Sequence, residues 1–256
     1  MVTVQDILMY LESLAPTSMK MEWDNVGLLC GSESAEVHTV LVALDPFENV
    51  CHEAADVGAE LLVTHHPLIF RSISAITDRS ALGRSVLFLA ANGISAINAH
   101  TNLDRTAGGV NDVLAQKLEL RNVMTIAPEG ANLLRMGAVS AQSLEQFLSH
   151  VKSKLTCPGL RYVDSGKSVH RVAVGGGACG SELNSAVEAG CDTFVTADVK
   201  YNQFQEAADL GINLIDAGHF YTENPIVGVL AEKIAAAFPE ITVKISKTNA
   251  DPVKFY

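Results

Sequence analysis

Two adjacent histidines close an apolar run, Glu60-Leu-Leu-Val-Thr-His65-His66-Pro67. Two further apolar runs end in histidine followed by carboxylate: Ala99-His100-Thr-Asn-Leu-Asp104 and Asp216-Ala-Gly-His219-Phe-Tyr-Thr-Glu223. Imidazole nitrogen and carboxylate oxygen are the side-chain donors that hold transition metals. Mixed donors of this kind, without thiolate, suit Zn, Mn, Fe or Co and disfavour a dedicated Ca site. The sequence has five cysteines, Cys30, Cys51, Cys157, Cys179 and Cys191, scattered and without a CxxC pair. That excludes an all-cysteine structural zinc site and a disulfide framework, and it points to a reducing compartment.

Spacing sharpens the reading. Consecutive strand residues point to opposite faces, so His65 and His66 serve one centre only through a kink or with two metals. Pro67 biases His66 toward extended geometry and ends the ladder. A dinuclear centre with each histidine on its own metal fits that stereochemistry. His100 is also weighed as a group that orients a ligand instead of binding metal. A histidine is otherwise more often a hydrogen-bonded core residue, and His38, His52, His150 and His170 are read that way.

The elements that must position these groups follow from periodicity. Val4, Ile7, Leu8, Leu11 and Leu14 have helical spacing, with Thr3 as N-cap, Asp6 in the first turn and Pro16 as the stop. Strands are expected at 38–45, 60–64, 94–98 and 212–216, and helices at 47–58, 80–92, 111–118 and 144–155. Residues 125–168 are less regular, with Met136-Gly-Ala-Val as a candidate strand. Each histidine cluster thus follows a strand, and open parallel sheets place ligand sites at the carboxyl ends of their strands. Glu223 precedes Asn224-Pro225, a cap and first-position pair for the helix running to about Ala237, so it is held at a helix entrance.

The pattern repeats. His38–Pro67 aligns without a gap on His170–Val199, with Gly58 on Gly190, Thr64 on Thr196, and the like-charged Glu60 on Asp192. Gly93-Ile-Ser-Ala-Ile-Asn-Ala99 then matches Gly211-Ile-Asn-Leu-Ile-Asp-Ala217. Strand–helix–strand–helix–strand therefore occurs twice. The expected fold is α/β: two related lobes with mostly parallel sheets, an internal duplication, and the metal site between the lobes. The first lobe is expected to take 1–125 plus 220–256, and the second 126–219.

Two more motifs bear on chemistry. Val172-Ala-Val-Gly175-Gly176-Gly177-Ala-Cys-Gly180-Ser181 runs from strand through a glycine-rich turn to a helix. It is read as a tight turn, with a phosphate cradle as the alternative; it matches neither GxxxxGK[ST] nor GxGxxG. Asp198 occupies the slot of His66 in the repeat, as a general base or ligand-orienting group, or else as a helix-start aspartate. His100 and Asp198 are the candidate proton-transfer residues. No GxSxG elbow is present.

The chain has 256 residues, 48% of them hydrophobic, which is enough for one large or two modest cores. The formal net charge is -11, without a basic footprint for phosphate backbones, so nucleic-acid binding is not expected. No apolar stretch approaches ~18 residues, and the N-terminal segment has no basic leader pattern. A soluble, cytoplasmic protein without membrane contact is expected.

At these motifs the chain resembles the GTP cyclohydrolase 1 type 2 homolog family, also called Nif-three-like dinuclear metal-binding proteins. The stretches that carry the resemblance are Glu22-Trp-Asp-Asn-Val-Gly-Leu-Leu-Cys-Gly31, Leu62-Val-Thr-His-His-Pro-Leu-Ile-Phe70, Ala99–Asp104, Gly175–Gly177, Ala197-Asp-Val-Lys-Tyr201 and Asp216–Glu223. The resemblance implies two divalent metal ions per subunit, held by His65, His66, Asp104, His219 and Glu223, with His100 close by. It also implies two α/β lobes and a ring-shaped homohexamer, in the short form of the family. One departure is Asn202, where the family often has histidine. Three functions follow as expectations. The first is a metal-dependent hydrolase using a two-metal-bound hydroxide on a nucleotide-like or other anionic small molecule. The second is metal storage or insertion without catalysis, and the third is a scaffold with structural metals.

Overall fold

The structure, a computed structural model, describes residues 1–126 and 133–256. In chain order its elements are α1 (Val4–Leu14), β1 (Gly27–Cys30), β2 (Thr39–Ala43), α2 (Glu48–Asp56), β3 (Leu61–Thr64), α3 (Ala81–Ala91), β4 (Ser95–Asn98) and α4 (Thr101–Arg105). There follow α5 (Val110–Lys117), β5 (Arg121–Ile126), β6 (Leu134–Gln142), α6 (Leu144–Leu155), β7 (Arg161–Val163), β8 (Val169–Val174), α7 (Leu183–Glu188) and β9 (Thr193–Thr196). The chain ends with α8 (Tyr201–Leu210), β10 (Asn213–Asp216), α9 (His219–Glu223), α10 (Pro225–Ala237) and β11 (Thr242–Ile245). Within the less regular stretch 125–168, β6, α6 and β7 are now defined, and 127–132 lie outside the described residues.

The elements form two compact units, Met1–Thr106 with Ile226–Ala250, and Ala107–Pro225 with Asp251–Tyr256. In the first, a five-stranded sheet runs β1-β4-β3-β2-β11. Strands β11, β2, β3 and β4 are parallel in succession, and β1 is antiparallel to β4. Leu41, Ala43, Leu62 and Ala96 pack with Val50, Ala54, Val86 and Leu89 of α2 and α3. Val40, Val42, Leu61 and Val63 are fully buried on the opposite face. Burial on both faces is why these strands read as unbroken apolar runs. The start of α1 is a capping box: Asp6 N donates to Thr3 Oγ1 (3.3 Å), and Thr3 N donates to Asp6 Oδ2 (2.8 Å).

The second unit holds a six-stranded sheet, β5-β6-β8-β9-β10-β7. Its centre, β8-β9-β10, is parallel, whereas β7 on β10, β6 on β8 and β5 on β6 are antiparallel. The second sheet is therefore mixed, with a parallel core flanked by antiparallel strands. Side chains alternate with period 2. Val172, Val174, Val195 and Ile215 pack with Leu114, Phe147 and Val151. Ala173, Phe194 and Leu214 pack with Leu183, Ala186 and Ala207.

The duplication is present in the backbone. β2-α2-β3-α3-β4 and β8-α7-β9-α8-β10 are both right-order parallel units, each with an antiparallel strand, β1 or β7, on its last strand. Equivalent residues do equivalent work. Glu60 Oε2 accepts from His38 N (3.0 Å) and Thr39 N (2.8 Å). Asp192 Oδ2 accepts from His170 N (3.0 Å) and Arg171 N (2.7 Å). Gly58 and Gly190 turn out of the first helix of each repeat with φ of 68° and 74°.

Of the four histidines read as core residues, His38, His52 and His170 are exposed and His150 is half-buried. His170 Nδ1 and His150 Nε2 are hydrogen-bonded to the carbonyls of Val139 (2.7 Å) and Leu118 (3.0 Å). All four are surface or boundary side chains, because each sits on a strand start or helix face turned away from the sheet. No helix among the described residues is long and apolar enough to cross a membrane.

Candidate metal centre

In the first unit, three adjacent strand ends converge. β3 ends at Thr64, whose hydroxyl donates to His66 O (2.7 Å) and so bends the His65-His66 pair out of the strand. His65 is fully buried, and its Nδ1 lies 2.9 Å from Ala99 O, just past the end of β4. His66 Nδ1 lies 2.7 Å from Asp45 Oδ1, just past the end of β2. Asp45 is itself fixed: its Oδ2 accepts from Asn249 Nδ2 (3.0 Å), while Asn249 Oδ1 accepts from Leu44 N (2.7 Å) and Asp45 N (3.1 Å). His100 caps α4, and its Nδ1 lies 2.8 Å from Asp24 Oδ1.

One ring nitrogen of each of His65, His66 and His100 lies within 4.8 Å of the other two. Ring centroids are 4.9 Å apart for His65–His66, 5.2 Å for His65–His100 and 5.5 Å for His66–His100. Asp104, on the first turn of α4, places Oδ1 3.5 Å from His65 Nε2. In every ring Nδ1 faces a carboxylate or carbonyl oxygen. That selects the tautomer with the proton on Nδ1 and presents the Nε2 lone pair, the arrangement by which proteins orient metal-binding histidines.

Asp24 shows how strongly this arrangement is enforced. Burial alone would raise its pKa, but hydrogen bonds from His100 and Thr101 hold it well below the usual carboxylate range. Its Oδ2 accepts from Thr101 N (3.0 Å) and from the Thr101 hydroxyl, so one carboxylate both orients His100 and starts α4.

In the second unit, His219 opens α9 and Glu223 closes it. Their i, i+4 spacing puts His219 Nε2 2.9 Å from Glu223 Oε2. His219 Nδ1 lies 2.8 Å from Asp198 Oδ2. Burial would lower the His219 pKa, but Asp198 and Glu223 push it up to about 11. The hydrogen bond with His219 in turn lowers the pKa of Asp198. Asp198 has the left-handed φ of 52° and directly follows β9 and Ala197, in the slot matching His66. Asp216 ties both loops together: Oδ2 accepts from Val199 N (3.1 Å) and pairs with Arg161, and Oδ1 accepts from Gly218 N (3.1 Å).

The glycine-rich turn has a role other than a phosphate cradle. Gly175 N donates to Val195 O (3.0 Å), Gly176 N to Asn111 Oδ1 (2.7 Å) and Gly177 N to Thr222 Oγ1 (3.0 Å). All three N–H groups are bonded within the fold, so the turn offers no anion a ring of donors. Gly177, at φ +65°, lies so close to Glu223 that a Cβ there would be 2.1 Å from Oε1. The turn is the floor against which the Glu223 carboxylate rests.

The first unit brings His65, His66, His100 and Asp104 together, and the second brings His219, Glu223 and Asp198 together. The groups that sequence reasoning passed over are Asp24, Asp45, Asn249 and Asp216. Asp45 carried a positional signal, since it follows β2 just as the histidines follow β3.

Strand-end imidazoles oriented by carboxylates, on a duplicated α/β frame, define a protein whose donor sets fit divalent transition metal. The model of the Duf34/NIF3 (NGG1p interacting factor 3) family matches residues 2–252, and the chain belongs to that family. It is 33% identical to a GTP cyclohydrolase 1 type 2 homolog of Clostridium perfringens over 98% of this chain and 99% of that relative. The crystal structure of Staphylococcus aureus hypothetical protein SA1388 superposes with a TM-score of 0.93 at 30% identity, covering 99% of each chain. A Bacillus cereus protein related to NIF3 gives a TM-score of 0.94 at 25% identity, covering 100% of this chain and 99% of that one.

Proposed function

We propose that the protein is a dinuclear metal-dependent hydrolase acting on a nucleotide-like or other anionic small molecule. The metal ligands in this reading are His65, His66, Asp104, His219 and Glu223. The working form is a ring-shaped homohexamer in the cytoplasm. The observation that carries this reading is the set of three neighbouring histidines with every Nδ1 on an oxygen acceptor, beside a buried carboxylate. When bound, a pair of divalent ions supplies Lewis-acid polarisation and lowers the pKa of a water toward ~7.

The remaining groups handle protons and orientation. Asp24, kept ionised by its hydrogen bonds, holds the Nδ1 proton of His100 and so leaves Nε2 as the accepting nitrogen, which suits His100 to take a proton from the attacking water. Asp198 performs the same service for His219, and Asp45 for His66. The name of the Clostridium perfringens relative favours a nucleotide among the possible substrates.

The test is turnover of a panel of nucleotides, phosphoesters and amides by protein reloaded with Mn2+ or Zn2+, against a His65→Ala control. Activity that tracks metal content and vanishes in the control supports the hydrolase. A panel with no activity above His65→Ala contradicts it. Metal storage or insertion is the second reading, favoured by the absence of a free anion cradle in the Gly175–Gly177 turn. Rapid metal transfer to an apo-acceptor without any turnover would select it.

A further inference from the structure

The loop that orients His100 also carries an aromatic surface that metal binding leaves without a task. Trp23, the single tryptophan of the sequence, immediately precedes Asp24 and is 60% exposed. Phe70, four residues past His66, is 43% exposed. The Trp23 and Phe70 ring centroids are 5.7 Å apart at 67°. Trp23 stands 6.2 Å from the His100 ring at 71°, and Phe70 6.1 Å from it at 79°. Three rings therefore meet edge-to-face, one of them belonging to the donor cluster.

This wall is held in place. Asp24, next to Trp23 in the chain, is bonded to His100 and Thr101. Asn25 Nδ2 donates to Ile69 O (2.6 Å), tying the loop after Trp23 to the segment before Phe70. Among the described residues, no ring lies parallel to the indole, so its plane is unstacked. Exposed indole and phenyl surface is unfavourable in water. Apolar ring faces beside a few fixed polar groups are the usual make-up of a small-molecule site. Planar heterocycles stack on such side chains with little dependence on which base is present.

We propose that Trp23 and Phe70 form a stacking wall for a planar heteroaromatic group of the substrate, with its reacting substituent presented to the donors around His100. The proposal deepens the hydrolase reading and rests on its metal centre.

Because Trp23 is the sole tryptophan, its fluorescence reads both events separately. Co2+, a paramagnetic ion, should quench it saturably by binding beside His100, and His65→Ala should weaken that quenching. With Zn2+-loaded protein, AMP, CMP and nicotinamide should change the emission saturably, while ribose 5-phosphate should not. In equilibrium dialysis, Trp23→Leu and Phe70→Leu should bind AMP about 5- to 150-fold more weakly at unchanged metal content, and Trp23→Phe should recover most of the loss. Equal binding of AMP and ribose 5-phosphate, or undiminished AMP binding by both leucine variants, overturns the wall. So does normal Co2+ quenching with no heterocycle binding, which leaves the metal centre standing. A change of oligomeric state in Trp23→Leu without loss of AMP binding also overturns it, making the patch a subunit contact. Absence of Co2+ quenching overturns the centre itself, and the wall with it.

Discussion

Replacing Gly177 with alanine isolates the contact that positions Glu223. The new Cβ would stand 2.1 Å from Glu223 Oε1, 3.0 Å from its carboxyl carbon and 3.1 Å from His219 Nε2. Ordinary contact begins well beyond 3 Å, so the carboxylate must retreat by about 1 Å. The backbone adds its own cost, because φ is +65° and an L side chain in that region is strained by about 1–2 kcal/mol. For a chain of this size that corresponds to a fall in Tm of roughly 2–8 °C. Displacing a ligand from its support costs metal proteins about 10- to 100-fold in affinity. Gly58→Ala separates the two effects, since Gly58 has φ +68° with nothing within 4 Å of its Cβ position. Both variants should lose thermal stability as metal-free protein, and only Gly177→Ala should lose Zn2+ affinity in competition with a chromogenic chelator. Wild-type Zn2+ affinity in Gly177→Ala, or an equal loss in Gly58→Ala, would refute the reasoning.

Three further outcomes are expected. Asp24 has a pKa depressed by folding, so its stabilising contribution is complete above the unfolded value of about 3.9 and is lost as pH falls below it. Urea midpoints of the wild type should therefore drop more steeply under pH ~4 than those of Asp24→Asn, which should be less stable at neutral pH. His219, with its pKa raised to about 11, carries a proton at neutral pH that a metal on Nε2 must displace. Calorimetry in two buffers of different ionisation enthalpy should show proton release on Zn2+ binding, with affinity rising as pH increases toward that value. Glu60→Ala and Asp192→Ala each remove a carboxylate that accepts from two strand-start N–H groups, and each should cost about 1 kcal/mol. The pair sit in different units with no shared partner, so chemical denaturation of the double variant should give additive losses.

Much of this molecule is legible in its amino acids because the informative signals are local. The run Leu61–Thr64 is buried throughout and ends at His65, so the strand and its cargo are adjacent in the chain. The duplication showed in Gly58 with Gly190 and Glu60 with Asp192, residues whose type is dictated by a left-handed turn and by two strand-start amides. The α6 helix falls at Leu144–Leu155, where the sequence places a helix at 144–155. What stayed hidden depends on distance along the chain. Asp24 reaches His100 across 76 residues, and Asn249 reaches Asp45 across 204, so no local pattern announces either partner. The short or exposed edge strands β1, β7 and β11 lack the apolar period that identifies the central ones. The glycine turn was recognisable as a turn, but whether its N–H groups were still available depends on Asn111 and Thr222, 65 and 45 residues away.

The central claim is that imidazoles and carboxylates from distant segments hold a shared pair of ions. A metal-edge anomalous difference map from crystals of Zn2+-loaded protein tests it most directly. The account predicts two peaks about 3.5–4 Å apart, each about 2.0–2.2 Å from donor atoms among His65, His66, Asp104, His219 and Glu223. No peak at these side chains under saturating Zn2+, or peaks only at other residues, would contradict it.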